Sequence, residues 1–188
     1  KEYRRQRQMC IRDSCITTWV VFNEGWGQHN TVEIVNKVIK YDDTRLINGV
    51  TGWTDRGVGD MYDVHNYPVT SMILPENNGN RISVLGEFGG YGWAIKEHIW
   101  NPNMRDWGDK NIDGAMALID SYGRLVYDLE TLIAQGLSAA VYTQTTDVEG
   151  EVNGLITYDR KVTKIPEGLL HLMHNLSLIH ISEPTRHS

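Results

Sequence analysis

Apolar residues along the chain are grouped into short runs that alternate with amphipathic or polar segments. The run ITTWVVF (residues 16–22) is continuous and rich in β-branched residues, which is typical of a strand covered on both faces in a parallel sheet. Four more runs have strand character: RLINGV (45–50), MYDVHNY (61–67), RISVLGE (81–87) and LSAAVYTQ (137–144). The pattern therefore predicts five strands.

Three other segments have helical spacing. Asn30 with Glu33 forms a capping-box signature in front of the first helix. Apolar residues then step by three and four over residues 119–135, and Gly136 follows as a C-cap. A last helix is predicted over residues 166–176, with proline at its first position. Strands that alternate with helices predict an α/β fold with a parallel sheet.

The length of 188 residues favours one domain with a sizeable core. No apolar run approaches the roughly 20 residues that a membrane span needs, so we predict no membrane partner. Cys10 and Cys15 lack metal-type spacing and do not form a disulfide framework.

Both ends of the chain look foreign to the rest. The segments RRQRQMCIRDS (4–14) and LSLIHISEPTRHS (176–188) resemble translated sequencing adapter, of the kind found on reading frames assembled from environmental DNA. We therefore interpret residues 1–14 and 177–188 as non-native tails and residues 15–176 as the protein domain. The competing interpretation of the arginines in the first segment is a basic arm for nucleic acid.

Charge argues against that alternative. Residues 15–176 contain 12 basic and 21 acidic residues, a net charge of −9. A polyanionic ligand is disfavoured by such a body, so we predict no nucleic-acid partner. A neutral ligand such as a sugar is compatible with it.

Two glutamates follow predicted strands in matching settings. Glu24 lies between WVVFN and GWG, and Glu87 lies between ISVLG and FGGYGW. In parallel α/β folds, catalytic groups collect at the C-terminal ends of strands, where loops can vary while the sheet holds side chains rigidly. A facing pair of carboxylates is the equipment that cleaves a glycosidic bond.

Four motifs in order carry a family resemblance: WVVFNEGWGQ, DVHNYP, VLGEFGG and TDVEGEVNGLITYDR. Together they resemble the catalytic barrel of glycoside hydrolase family 2, which holds β-galactosidases, β-glucuronidases and β-mannosidases. The resemblance covers residues 16–174. The Asn-Glu pair is shared by a whole clan of barrel glycosidases, whereas the ordered set of four is much more specific.

The resemblance implies a fold and a site. The expected fold is a partial (β/α)8 TIM barrel, strands 4 to 8, from the C-terminal part of the catalytic domain. Glu24 matches the general acid/base and Asn23 the residue that contacts the sugar 2-hydroxyl. Glu87 matches the nucleophile, Tyr67 a tyrosine that hydrogen-bonds it, and His65 points to the same mouth. Such enzymes retain anomeric configuration, with carboxylates about 5–5.5 Å apart.

Tryptophans are candidates for stacking on the sugar. Trp26 and Trp93 each lie a few residues after a candidate catalytic glutamate, and we predict that they bind substrate. The alternative for each is ordinary core or rim packing. Trp53, Trp100 and Trp107 are interpreted as structural.

The acidic segment DVEGEVNG (147–154) has the alternation of a calcium loop. The sixth and twelfth positions of an EF-hand would be Gly and Glu, but here they are Val152 and Tyr158. We therefore predict no metal site, and the resemblance implies no cofactor. A contact of Asp147 or Glu149 with a substrate hydroxyl or a metal stays an alternative.

Some features depart from the family. The fifth predicted strand ends in Tyr142, Thr143 and Gln144, where many members have a tryptophan, which leaves the sugar open. Barrel strands 1 to 3 have no counterpart in the sequence. We therefore expect the chain to be weakly active or inactive as it stands.

The resulting hypothesis is a retaining β-glycosidase that acts on a β-linked oligosaccharide or glycoside. One alternative is a non-catalytic carbohydrate-binding protein on the same scaffold. Another is an unrelated α/β protein in which Glu24 and Glu87 point away from each other. The resemblance is compatible with a bacterial protein of the periplasm or the exterior, and the sequence itself leaves localisation and oligomeric state open.

Overall fold

The computed structural model describes residues 15–179. The segments 1–14 and 180–188, which belong to the predicted tails, lie outside the described residues. The strands are β1 (Thr18–Asn23), β2 (Leu46–Thr51), β3 (Met61–Asn66), β4 (Ile82–Gly89), β5 (Tyr91–Gly92), β6 (Lys110–Asn111) and β7 (Leu137–Thr143). The helices are α1 (Thr31–Tyr41), α2 (Ala115–Ala134) and α3 (Glu167–Ile179), with a short 3-10 turn at Pro75–Asn77.

All five predicted strands and the three predicted helices are present, with small shifts at their ends. The capping box before α1 is wrong, because Asn30 has a left-handed backbone (φ 45°) and its side chain makes no capping hydrogen bond. Gly136 does end α2: it has φ 110°, and its N–H donates to Ile133 O (3.0 Å). Helix α3 begins after Pro166 and continues to Ile179, three residues into the predicted tail. None of the described helices combines the length and apolar character needed to cross a membrane.

Among the described residues the strands form three separate parallel sheets. β1 pairs with β2, and β4 lies between β3 and β7 in a three-stranded sheet. The two-residue strands β5 and β6 form the third. The parallel direction predicted from the alternation of strands and helices is therefore confirmed.

The predicted partial (β/α)8 TIM barrel, strands 4 to 8, is wrong. The chain has a small mixed α/β fold, and its sheets are not joined between β2 and β3. Asp60, which precedes β3, donates its N–H to Ile47 O (2.7 Å) and accepts from Ile47 N through its side chain (2.7 Å). Asn48 forms an antiparallel bridge with Gly59. The segment leading into β3 thus uses hydrogen-bonding groups of β2 that a continuous barrel wall would give to β3 itself.

Helix α2 covers the three-stranded sheet and forms the main core with it. Leu85 and Phe88 of β4 pack with Leu118, Tyr122 and Leu125 of α2, all at most 4 % exposed. The rest of the cluster is Tyr91, Val126, Leu137 and Ile165. The sheet of β1 and β2 packs against α1, which buries Val35 completely. Each of the two larger sheets thus has its own helical cover.

Lys164 forms a buried ion pair within the long loop after β7 and also links this loop to the loop after β5. Lys164 Nζ donates to Asp147 Oδ1 (2.7 Å), Trp93 O (2.8 Å) and Val152 O (2.8 Å). The two charged side chains are 0 % and 3 % exposed. Burial raises the pKa of Asp147 and lowers that of Lys164, so lost hydration outweighs attraction for both groups. The pair holds two loops in place at a cost in solvation.

We expect Lys164→Met to lower the free energy of unfolding by about 3–5 kcal/mol, because it leaves the Asp147 carboxylate buried without its cation. Urea denaturation followed by circular dichroism measures the change. Lys161→Met is the matched control, since the Lys161 side chain is 73 % exposed and lies 3.8 Å from its carboxylate partner. Equal stabilities for the two variants would contradict the assigned role of Lys164.

Candidate active site

Three side chains from two different sheets meet where β1, β3 and β4 end. His65 Nδ1 lies 3.0 Å from Glu24 Oε1 and 3.5 Å from Glu87 Oε2. One oxygen of each carboxylate and this nitrogen all lie within 4.8 Å of one another. The structure therefore brings together Glu24, His65 and Glu87. The alternative in which the two glutamates point apart does not describe this arrangement.

A β-bulge sets the position of Glu87. Val64 pairs with Leu85, but the next residue of β3, His65, pairs with Glu87, so Gly86 is an extra residue in β4. Without the bulge, His65 would face Gly86, and Glu87 would lie one position further along the ladder. The extra residue therefore places the carboxylate opposite the imidazole.

Asp63 holds this bulge from beneath. Its carboxylate accepts from Gly86 N (2.9 Å) and from Asn48 Nδ2 (2.5 Å), and the residue is 2 % exposed. A Cβ on residue 86 would collide with the Asp63 carboxylate. Burial raises the pKa of Asp63, and the hydrogen bonds from Asn48 and Gly86 act in the opposite direction. Asp63 is a positioning residue that sequence reasoning missed, although DVH in the second motif contains it.

Glu24 has an unusual backbone. Its φ is 57°, in the left-handed region that residues with a Cβ rarely occupy. Its N–H donates to Thr51 O (2.9 Å), and Gln28 Nε2 donates to its carbonyl oxygen (2.8 Å). Neighbouring strand and loop thus hold the turn that aims the side chain at His65.

The imidazole of His65 is enclosed, with its side chain 1 % exposed. Gly52 (φ 73°) passes so close that a Cβ there would lie 2.9 Å from the ring. The Nε2 atom is buried and has no hydrogen-bond partner among the described residues, whereas Nδ1 faces both carboxylates. In the neutral ring the proton therefore belongs on Nδ1, where Glu24 accepts it.

Tyr67 supports Glu87. Its hydroxyl donates to Glu87 Oε2 and also hydrogen-bonds with Thr143 Oγ1 (3.0 Å). Burial and the hydrogen bond to Glu87 raise the pKa of Tyr67 far above its usual range. The phenol is therefore protonated at neutral pH and serves as a donor to the carboxylate, in agreement with the contact expected from the family resemblance.

The other predicted site residues are placed as follows. Asn23 is exposed at the end of β1, and its Oδ1 accepts from Thr51 Oγ1 (2.5 Å). Trp26 is 86 % exposed, so the protein encloses little of its ring. Trp93 packs partly against the core, and its backbone N–H donates to Val152 O (3.0 Å). Sugar contact by these three residues stays a prediction.

Trp53 lies in the site, although its sequence position predicts a structural role. Its ring stands edge-on to His65, with centroids 6.2 Å apart and an interplanar angle of 77°. The residue is 48 % exposed, which leaves part of the ring open to a ligand. The sequence signal for a role of Trp53 in the site is its position two residues after the end of β2. Trp26 likewise lies two residues after Glu24.

Asp109 adds negative charge beside Glu87. Partial burial of its carboxylate, then the charge of Glu151 and that of Glu87, raise the pKa of Asp109, although the residue remains exposed. The aspartate is the last residue of the long loop between β5 and β6, which has no regular sequence pattern that points to a functional residue.

The acidic loop over residues 147–154 is bonded internally. Asp147 Oδ1 accepts from Lys164 and from Gly154 N (2.8 Å), and Glu151 Oε1 accepts from Asn153 Nδ2 (2.9 Å). A lysine cation therefore occupies the position beside Asp147 that a calcium ion would take in the alternative interpretation. Among the described residues, the group with metal-ligand geometry is Glu24, His65 and Glu87, which sequence reasoning did not consider for this chemistry.

No protein-family model matches the chain. The curated proteins contain no significant match either. The likeness to glycoside hydrolase family 2 therefore depends on the four motifs alone, and the geometry of the site has to carry any functional argument by itself.

Gly86→Ala is expected to destabilise the protein by about 1–3 kcal/mol, because the new methyl group collides with the buried Asp63 carboxylate. The same substitution in an Asp63→Ala background should cost less, since the clash is gone, and urea denaturation of the four proteins measures this coupling. Gly168→Ala is the control, because no atom lies within 4 Å of a Cβ at that helical position. Additive effects of the two substitutions would refute the Asp63–Gly86 contact.

Proposed function

We propose that the chain carries the catalytic centre of a retaining β-glycosidase, with Glu24 as general acid/base and Glu87 as nucleophile. The observation that carries the proposal is the facing pair of carboxylates, in which one oxygen of Glu24 lies within 4.8 Å of one oxygen of Glu87. A retaining mechanism needs about 5–5.5 Å between the carboxyl groups, whereas an inverting one needs about 6.5–9.5 Å to admit water between them. The short separation supports retention.

The chemistry runs in two steps. Glu24 donates its proton to the glycosidic oxygen while a Glu87 oxygen attacks the anomeric carbon, so the bond to the leaving alcohol breaks as the glycosyl ester forms. Glu24, now ionised, then takes a proton from water. The hydroxide attacks the anomeric carbon, the ester bond breaks, and both carboxyl groups return to their starting states.

Neighbouring groups suit these roles. Tyr67 donates to Glu87 and so holds the carboxylate in one orientation before attack. His65 Nδ1 lies close to Glu24 and keeps that carboxylate directed toward the mouth. The Glu24 and Glu87 side chains are 16 % and 32 % exposed, which leaves a path for a sugar. Because about a third of the Glu87 side chain stays exposed to water, we expect turnover to be slow.

Covalent trapping tests the proposal even at slow turnover. Activated 2-deoxy-2-fluoro β-glycosides of the galactosyl, glucosyl and mannosyl series are incubated with the full chain, and intact mass and peptide mapping follow the label. We expect one fluoroglycosyl group on Glu87 with at least one series, because an ester at the nucleophile accumulates when its hydrolysis is slowed.

The matched variants are Glu87→Gln and Glu76→Gln. Glu87→Gln should not be labelled, whereas Glu76→Gln should be labelled like the parent, because Glu76 is exposed in the 3-10 turn. Label on other residues, or saturable sugar binding without label in all series, would contradict the proposal. The second result is what a non-catalytic carbohydrate-binding protein would give.

We infer a second role, for Trp53, as a ring that contacts the sugar beside His65. Trp53→Ala should raise the glycoside concentration for half-maximal labelling rate about fivefold, which corresponds to about 1 kcal/mol of lost ring contact. Trp100→Ala is the control: Trp100 is 56 % exposed and packs on Tyr158. A shift of equal size in both variants would argue against a specific contact at Trp53.

A further inference from the structure

We propose that Glu24, His65 and Glu87 form a binding site for one divalent transition-metal ion such as Zn²⁺, and that the ion competes with glycoside at this site. Metal binding itself follows from the geometry of the three side chains. The competition rests on the proposed function, because it assumes that the same carboxylates act on a glycoside.

Separations between the three ligand atoms suit a single ion. With metal–ligand bonds of about 2.0–2.2 Å, two ligands of a tetrahedral ion lie about 3.4 Å apart. His65 Nδ1 is 3.0 Å from Glu24 Oε1 and 3.5 Å from Glu87 Oε2. The Glu24 and Glu87 oxygens lie within 4.8 Å of each other. A small side-chain rotation therefore shortens this third distance to the value that a tetrahedral ion requires.

Chemistry of the donors selects the kind of ion. One imidazole nitrogen with two carboxylate oxygens is a set typical of zinc and related transition metals, whereas Mg²⁺ and Ca²⁺ prefer oxygen ligands alone. Two carboxylates neutralise the charge of a divalent ion. Three protein ligands leave an open position for water, unlike the four of a closed structural zinc site.

The imidazole is already fixed for this role. His65 is buried, with Nδ1 aimed between the two carboxylates and Gly52 against its ring, so little side-chain freedom is lost on binding. The ion has to displace the proton on Nδ1, which then moves to Nε2. Because Nε2 has no hydrogen-bond partner among the described residues, the affinity should be below that of a structural zinc site.

Occupation of the site has a direct consequence for glycoside chemistry. An ion bound by Glu24 and Glu87 takes the lone pairs that the acid/base and the nucleophile need. Zinc and substrate should therefore exclude each other, and removal of the ion should restore the reaction.

Calorimetric titration of the full chain with ZnCl₂ tests the site without any substrate. We expect one ion per chain, and affinity reduced by at least about tenfold in each of Glu24→Gln, His65→Gln and Glu87→Gln. His98→Gln is the matched control, because His98 also faces a carboxylate, Asp159 (2.8 Å), but belongs to a different cluster. The zinc affinity of His98→Gln should equal that of the parent.

Circular dichroism shows whether each variant is folded. If His65→Gln does not fold, the isosteric variants Glu24→Gln and Glu87→Gln decide the outcome. The metal site would be overturned if the parent did not bind zinc, or if Glu24→Gln and Glu87→Gln both bound zinc as tightly as the parent. Competition is tested separately by the rate of fluoroglycoside labelling with ZnCl₂ and after addition of EDTA. Zinc binding without any labelling would refute the glycosidase and leave the metal site standing, whereas labelling unaffected by bound zinc would refute the competition.

Discussion

The hydrogen bond from Gly86 N–H to the buried Asp63 carboxylate is the interaction on which the site depends. It holds one extra residue in β4, and that residue moves Glu87 opposite His65. The same carboxylate accepts from Asn48 in β2, so it also links the two sheets that carry Glu24 and Glu87. A buried acid is costly unless its oxygens are bonded, which makes this contact specific for one register.

Local signals in the sequence predict much of the structure. Short apolar runs predict the five main strands, and the three-four spacing of apolar residues predicts α2, because each pattern arises within one element. The cover expected on both faces of β1 is wrong, since Val20 is 57 % exposed. The positions of Glu24 and Glu87 at strand ends were also predictable, since parallel strands place their carboxyl ends along one edge. The hydrogen bond from Tyr67 to Glu87 is a contact that the family resemblance implies.

Longer-range features were not predictable from these signals. Pairing between strands depends on contacts between residues far apart in the sequence. The two hydrogen bonds between Asp60 and the backbone of Ile47 leave no periodic pattern in the sequence. The barrel implied by the family resemblance is wrong, because β2 and β3 belong to separate sheets. The alternation of strands and helices predicts the direction of the strands but not which strands share hydrogen bonds. The bulge at Gly86 was not predictable either. In the sequence Gly86 resembles an ordinary glycine in a strand, and its contact with Asp63 is visible only in the structure.

The stereochemical course of hydrolysis tests the central claim, that the two carboxylates are close enough for double displacement, most directly. Proton NMR of the first sugar released from an activated aryl β-glycoside, recorded before mutarotation, distinguishes the two anomers. The close pair of Glu24 and Glu87 predicts the β-anomer. Initial release of the α-anomer would contradict the account, because it would require a water molecule between the carboxylates.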